Sequence, residues 1–452
     1  MDRLEGKIVF HIGNVANNAY NSAAYERAQG IKSFAISPDY LHVMAFPFWE
    51  TDEISVPPER TFEPYMHMTK ENMPEWFLYG TWSDIYQRLV ALINPSTDSS
   101  IFDLAPQSKM SSVKSTIISE FLKYGRRPLK KILPTQFRHW LANTLLVHLR
   151  REEVLTYSRV FDLADVVVFY GAHNAYASIS NWNGKYISLE HGTLRDYINS
   201  NFYLANKSKD AYKKSFRTII TNQDCLKPAL EVGIPSMRIV KSPHPSSDFD
   251  FSELRELRLK VLERAPKEIF SPTRHSYGSI VDRGKGNKLA IEGVLKALVA
   301  FPDLRATFIE WGDDVVKSKM IIQELNLQDK ITWIGVLSRK SLKKKMVESL
   351  VVLDQFTIPA YGGITADAIG LGVPVITRQD IGLDQVFFGN TAPVLPAQTS
   401  NEIFEHISAL MNFEKMGNVI FSQSTNWYDS NLSSKRAFEQ RFLCYLDKLN
   451  AN

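Results

Sequence analysis

Four groups of residues in the 452-residue chain have the types and spacing to work at a binding site. The first is a loop, Tyr361-Gly362-Gly363-Ile364-Thr365, which follows Val351-Val352-Leu353-Asp354-Gln355 and runs into a helical pattern from Thr365 to Leu371, closed by Gly372 and Pro374. A glycine loop entering a helix leaves backbone N–H groups free where the helix dipole favours an anion. Asp367, in the first turn, is placed to accept hydrogen bonds from a ligand's hydroxyls. The second group is Arg274, at the end of the run Glu268 to Ser271, with Lys285-Gly286-Asn287 and Lys288 ahead of the next helix. Arginine offers a bidentate fork and lysine a mobile point charge, together a clamp for a diphosphate. Arg283, Lys285 and Lys288 all qualify for the lysine's part. The third is His191, in Glu190-His191-Gly192-Thr193-Leu194-Arg195-Asp196. A neutral imidazole there would hydrogen-bond a hydroxyl, and a protonated one would offset phosphate charge. The same residues also read as a buried histidine beside a local Arg195–Asp196 ion pair. The fourth is Gly13-Asn14, after the run Lys7 to Ile12, where Asn14, Asn17 and Asn18 serve equally as turn and cap residues.

The elements that must position these groups follow one rhythm. Strand runs Lys7 to Ile12, Ile31 to Ile36, Asp165 to Tyr170, Lys185 to Leu189 and Thr218 to Thr221 alternate with helical patterns. After the proline- and serine-rich connection Lys241 to Asp248, the alternation resumes with Glu268 to Ser271, Arg305 to Glu310, Ile331 to Ile334, Val351 to Leu353 and Val373 to Thr377. Such alternation predicts an α/β protein with two doubly wound parallel sheets. Ligands of these sheets bind outside the carboxyl ends of the strands, where all four groups fall. The expected domains are residues 1–245, with a helical insertion at about 57–162, residues 246–425, and a terminal helix in 426–452. The insertion carries aromatic helical stretches (Trp76, Phe77, Trp82, Tyr86) and a basic series from Lys123 to Arg151. That series reads either as a solvated helical face or as peripheral membrane contact through residues 121–151.

Composition narrows the class. Hydrophobic content of 44% and charged content of 23% are those of a globular protein. A net charge of +4 is too mild to argue for nucleic acid. Cys225 and Cys444 have no metal or disulfide spacing, and no apolar run approaches the roughly 18 residues needed to span a bilayer. A cytoplasmic protein, at most peripheral at a membrane, is expected. The first turn has one glycine and lacks the dinucleotide fingerprint. The one Asp-x-Asp, Asp248-Phe249-Asp250, falls in the connection between the domains.

The stretch Asp367-Ala368-Ile369-Gly370-Leu371-Gly372-Val373-Pro374-Val375-Ile376 resembles the donor-binding segment of GT-B glycosyltransferases of the retaining family-4 type. That family has an earlier glutamate eight positions before its second acid, where this chain has Pro359. The opening, with Pro47-Phe48-Trp49-Glu50, is similar to the N-terminal segment of a bacterial group of these enzymes. The resemblance implies a GT-B fold, a nucleotide-diphosphate sugar as donor and a glycan or lipid-linked saccharide as acceptor, with no cofactor and no metal. It implies catalytic roles for His191, Arg274 and Lys285. Donor contacts would come from Gly13, Asn14, Lys288, Gly335, Val336, Tyr361, Gly362, Gly363, Ile364, Thr365 and Asp367, with the base near Gly335 to Leu337 and Asp367 on the ribose. A nucleotide-sugar epimerase and a non-catalytic sugar-nucleotide-binding protein use the same cleft and are the alternatives.

Overall fold

The computed structural model describes residues 4–39, 42–57, 73–93, 151–277, 284–412 and 416–451. The basic series from Lys123 to Arg150 and Arg283 lie outside the described residues.

The first sheet is wholly parallel. Its strands are β1 (Ile8–Ile12), β2 (Lys32–Ser37), β4 (Phe77–Tyr79), β5 (Val166–Tyr170), β6 (Ile187–Glu190), β7 (Arg217–Ile220) and β8 (Ile239–Lys241). They lie in the order β4-β2-β1-β5-β6-β7-β8. Continuous apolar runs such as Val166-Val167-Val168-Phe169-Tyr170, buried throughout, suit strands covered on both faces. Phe77, expected in a helix, instead pairs in β4 at the sheet edge, and the helix begins at Trp82. Three residues are too few to show a strand's alternation.

The second sheet comprises β9 (Glu268–Ser271), β10 (Arg305–Ile309), β11 (Ile331–Ile334), β13 (Val351–Leu353), β14 (Val375–Thr377) and β15 (Leu395–Pro396). Its order is β11-β10-β9-β13-β14-β15, again all parallel. In each sheet the strand order turns back beside the first strand, between β1 and β5 and between β9 and β13. A crevice opens at such a point.

Two features join the halves. Strand β3 (Ser55–Val56) of the first half pairs antiparallel with β12 (Val336–Leu337) of the second. Ser338 extends this contact: its hydroxyl accepts from Ile54 N (3.1 Å) and donates to Asp52 O (2.6 Å). The apolar core is continuous as well, running from Val168 and Ile219 through Phe251 and Tyr428 to Val352 and Ile369.

The terminal helix Ser434–Asn450 begins at Ser433, whose hydroxyl accepts from Arg436 N (3.3 Å). It packs back on the first half through a buried polar hub. Glu26 accepts from Arg441 Nε (3.2 Å), the Tyr445 hydroxyl (2.9 Å) and the Ser33 hydroxyl (2.6 Å), and lies 2.8 Å from His11 Nε2. Burial opposes ionisation of Glu26, but His11, Arg441 and Ser33 outweigh it and hold the carboxyl down at about 2.

Candidate active site

The wall contributed by the first sheet is built at the carboxyl end of β6. Glu190 is fully buried. Its carboxylate accepts from Gly192 N (2.6 Å), Leu194 N (3.0 Å) and the Tyr212 hydroxyl (2.6 Å). These bonds satisfy amides that the start of helix Thr193–Tyr197 leaves free, and they fix the turn that carries His191. Gly192 has φ +118°, a conformation that side chains rarely adopt. His191 keeps some exposed surface, yet its Nε2 is buried with no hydrogen-bond partner in the protein. Burial first, then the charges of His173 and Arg195, lower its pKa to about 4, so the ring is neutral at pH 7. A bond to its own backbone works in the other direction.

His244, in the connection after β8, stands next to His191. Its Nε2 lies 2.8 Å from Asn222 Oδ1, and burial, followed by His191, Arg339 and Arg195, pushes its pKa down to about 3. Arg195 forms a fork with Asp224, Nε–Oδ2 2.5 Å and Nη2–Oδ1 2.7 Å. The local Arg195–Asp196 pair is therefore replaced by one that ties the His191 turn to the loop after β7.

The opposing wall is built at the β9–β13 crevice. Arg274 follows β9, and Lys285 Nζ donates to Gln355 Oε1 (2.8 Å) just past β13. Burial lowers the Lys285 pKa; Asp354 raises it, and the positive charges of Arg274 and Arg195 lower it further. Arg195 belongs to the first half and Arg274 to the second, so cations from both halves bear on a single lysine. His275 N donates to Trp311 O (2.7 Å), joining the Arg274 loop to the loop after β10. Beside that loop lies a cleft of about 710 Å³ lined by Ser55, Val56, Pro57, Glu310, Trp311, Gly312, Val315 and Gly335. That volume is in the range that holds small-molecule ligands.

The other residues expected at the site are engaged largely by the protein itself. Asn14 is buried, and its amide is spent on Asn17 Oδ1 (2.8 Å), Ala45 O (2.6 Å) and Tyr20 N (2.9 Å), so its part is that of a turn residue. Gly13, with φ +97°, sits against His173; a Cβ there would come within 2.3 Å of the imidazole. Lys288 points into solvent beside Glu292 (3.9 Å). The backbone of Val336 is engaged by β3, and a Cβ on Gly335 would meet Val56 O at 2.8 Å, while Gly335 itself still lines the cleft. Asp367 is fully buried and ion-paired with Arg339 at 2.5 Å, not open to a ligand. Thr365 gives both its hydroxyl (2.5 Å) and its amide to Asp354. Gly362, Gly363 and Ile364 remain at the start of helix Gly363–Gly370, which has no side-chain cap, and the Arg339 guanidinium lies against Gly363. Tyr361 is buried, with its hydroxyl on Asp384 (2.7 Å), and Asp384 also meets Gln223 of the first half (3.3 Å).

The residues that sequence reasoning passed over are Arg339, His244, His173 and the positioning carboxylate Glu190. His244 had a readable signal, since it directly follows a strand exit. Arg339 was hidden among the lysines of its helix. No group of three or more His, Cys, Asp or Glu residues suited to a metal occurs among the described residues.

No family model matches the sequence, and a search of the curated proteins finds no match. Solved structures do resemble it. HepE of Anabaena in complex with UDP superposes with a TM-score of 0.56 at 12% identity, over 98% of this chain and 100% of that one. Sucrose-phosphate synthase of Thermosynechococcus elongatus gives 0.53 at 12%, over 99% and 100%. The MnaA–UDP structure from S. aureus gives 0.52 at 13%, over 99% and 97%. Taken with the two parallel sheets facing a shared cleft, these likenesses establish that the chain has the GT-B fold.

Proposed function

We propose that the protein is a glycosyltransferase that moves a sugar from a nucleotide-diphosphate sugar to a glycan or lipid-linked saccharide, in the manner of the retaining family-4 enzymes and without a metal. One observation carries the reading: the charges of Arg274, from the second half, and of Arg195, from the turn of the first half that carries His191, both bear on the buried Lys285. The nucleoside would occupy the cleft beside Trp311 and Gly335, with the diphosphate at Arg274 and Lys285. UDP in two of the structural neighbours supports a uridine nucleotide as the first to test.

In this reading the C1–oxygen bond to the diphosphate breaks as the acceptor hydroxyl bonds to C1, and the hydroxyl proton passes to the departing phosphate oxygen. Negative charge develops on that oxygen, and fixed cations in a recessed site stabilise it with little reorganisation. A ring with pKa about 4 is a poor base at neutral pH, so His191 serves as a neutral hydrogen-bonding group that orients the donor sugar. Thermal shift with UDP-, GDP-, dTDP- and CMP-sugars tests the reading, because a ligand of the folded state raises the melting temperature. One donor should stabilise the protein and be consumed only with an acceptor. No shift with any donor, or isomerisation of the donor without acceptor, would overturn it.

A further inference from the structure

Met237, on the turn Ser236–Arg238 that enters edge strand β8, is 82% exposed, more than any other large apolar side chain among the described residues. Leu230 and Val386, also exposed, belong to neighbouring elements that pack together through Ala229, Val232, Ile234 and Phe387 beneath them. A basic fringe surrounds these residues. Arg238 Nη1 donates to Lys213 O (3.2 Å), Lys241 Nζ donates to Val386 O (2.7 Å), and Lys214 adjoins Lys213 on the surface. From residue 202 to 241 there are eight Lys and Arg against three Asp and Glu, a surplus of five that exceeds the +4 of the whole chain. Of these charges, Asp224 is paired with Arg195, Glu231 with Lys227, and Arg217, which donates to Met237 O, with Asp447. Among the described residues no ion pair engages Lys213, Lys214, Arg238 or Lys241.

We propose that this face docks the protein on an anionic lipid bilayer. The apolar side chains protrude singly and form no groove that would read a peptide, whereas a headgroup layer admits them by insertion. Lysines around them would meet lipid phosphates, each contributing to adsorption on a negative surface. The exposed apolar side chains of the patch, Met237, Leu230 and Val386, are all aliphatic and offer no ring on which a nucleic-acid base would stack.

The test is sedimentation of the full chain with vesicles of phosphatidylcholine alone or with about one third phosphatidylglycerol. The protein should bind the anionic vesicles only, and less at high salt. Lys213→Gln with Lys214→Gln should weaken binding about 30-fold, and Met237→Ser about fivefold, with melting temperatures unchanged. Absence of vesicle binding, equal binding to neutral vesicles, or binding unchanged in both variants would overturn the proposal. Retention on poly-glutamate without vesicle binding would also overturn it, assigning the face to an acidic polypeptide.

Discussion

The two sheets share a topology and differ in what fills the point where their strand order turns back. Between β1 and β5 the crevice is closed by the protein itself, with His173 against the bare Cα of Gly13 and Asn14 saturated by neighbouring backbone. Between β9 and β13 the corresponding place holds Arg274 and Lys285, with Gln355 and Asp354 beneath them. Both positions follow from the winding of the sheet. Their chemistry follows from the few residues at the strand ends. The buried charges differ in the same sense: Glu26 and Arg441 neutralise each other inside the first half and hold the terminal helix, whereas the charges of Arg195 and Arg274 bear on Lys285 from both halves. The first half provides a braced wall, the second a receptor for negative charge.

Substitutions should separate the two roles. Arg441→Ala leaves Glu26 buried beside His11 without its cation, which costs about 3–5 kcal/mol. Urea unfolding should show that loss, while donor affinity per folded molecule stays within about twofold. Arg274→Ala should do the opposite. Affinity for the donor nucleotide, read by calorimetry, should fall roughly 30- to 1000-fold, the cost of truncating one partner of a close charge pair. Its urea midpoint should stay near that of the parent. If both variants lost stability alike and neither changed affinity, the division between brace and receptor would fail.

Acid should also separate the two regions. His191 and His244 have folded pKa values of about 4 and about 3, below the ordinary 6.5. Between 6.5 and 4 the unfolded chain binds protons that the folded cleft refuses, so this stability is complete above 6.5 and is lost as pH falls through the window. The carboxyl of Glu26, held at about 2 against an ordinary 4.5, gives stability that is lost only from 4.5 downward. Urea midpoints between pH 7 and 5 should therefore decline, and His191→Gln should flatten the decline without moving the steeper fall below pH 4.5.

Much of this arrangement was legible in the chain. The apolar runs at Val166–Tyr170 and Val351–Leu353 are too short for helices and too apolar for exposed strands, so they predicted buried parallel sheets. The placement of His191 and Arg274 after strand ends, and of Lys285 ahead of the next helix, came from the same pattern. Pairing was not legible. Sequence shows a helical Arg339 among lysines and a helical Asp367, but only their packing shows that each neutralises the other, with Gly363 making the room. The β3–β12 ladder joins two residues on each side, too few to leave a period. Thr365 looked like a free donor because its partner, Asp354, reaches the helix start from the end of the preceding strand.

Lys288 gives the smallest effect and the finest discrimination. It stands three residues after Lys285 in a loop-to-helix sequence where either lysine had the spacing to reach a phosphate. The structure separates them by direction. Lys285 turns inward to Gln355 and carries the depressed pKa of a recessed cation, while the Lys288 side chain is 62% exposed next to Glu292. An exposed i,i+4 pair of this kind contributes only about 0.3–0.5 kcal/mol. Lys288→Ala should therefore leave donor affinity unchanged and shift the urea midpoint barely at all. Lys285→Ala, measured beside it, should reduce donor affinity by at least tenfold, the cost of one charge-assisted hydrogen bond. Equal losses in the two variants would mean that the Lys288 side chain turns inward when a donor binds. The receptor in the second half would then be assembled by its ligand, unlike the preformed wall that faces it.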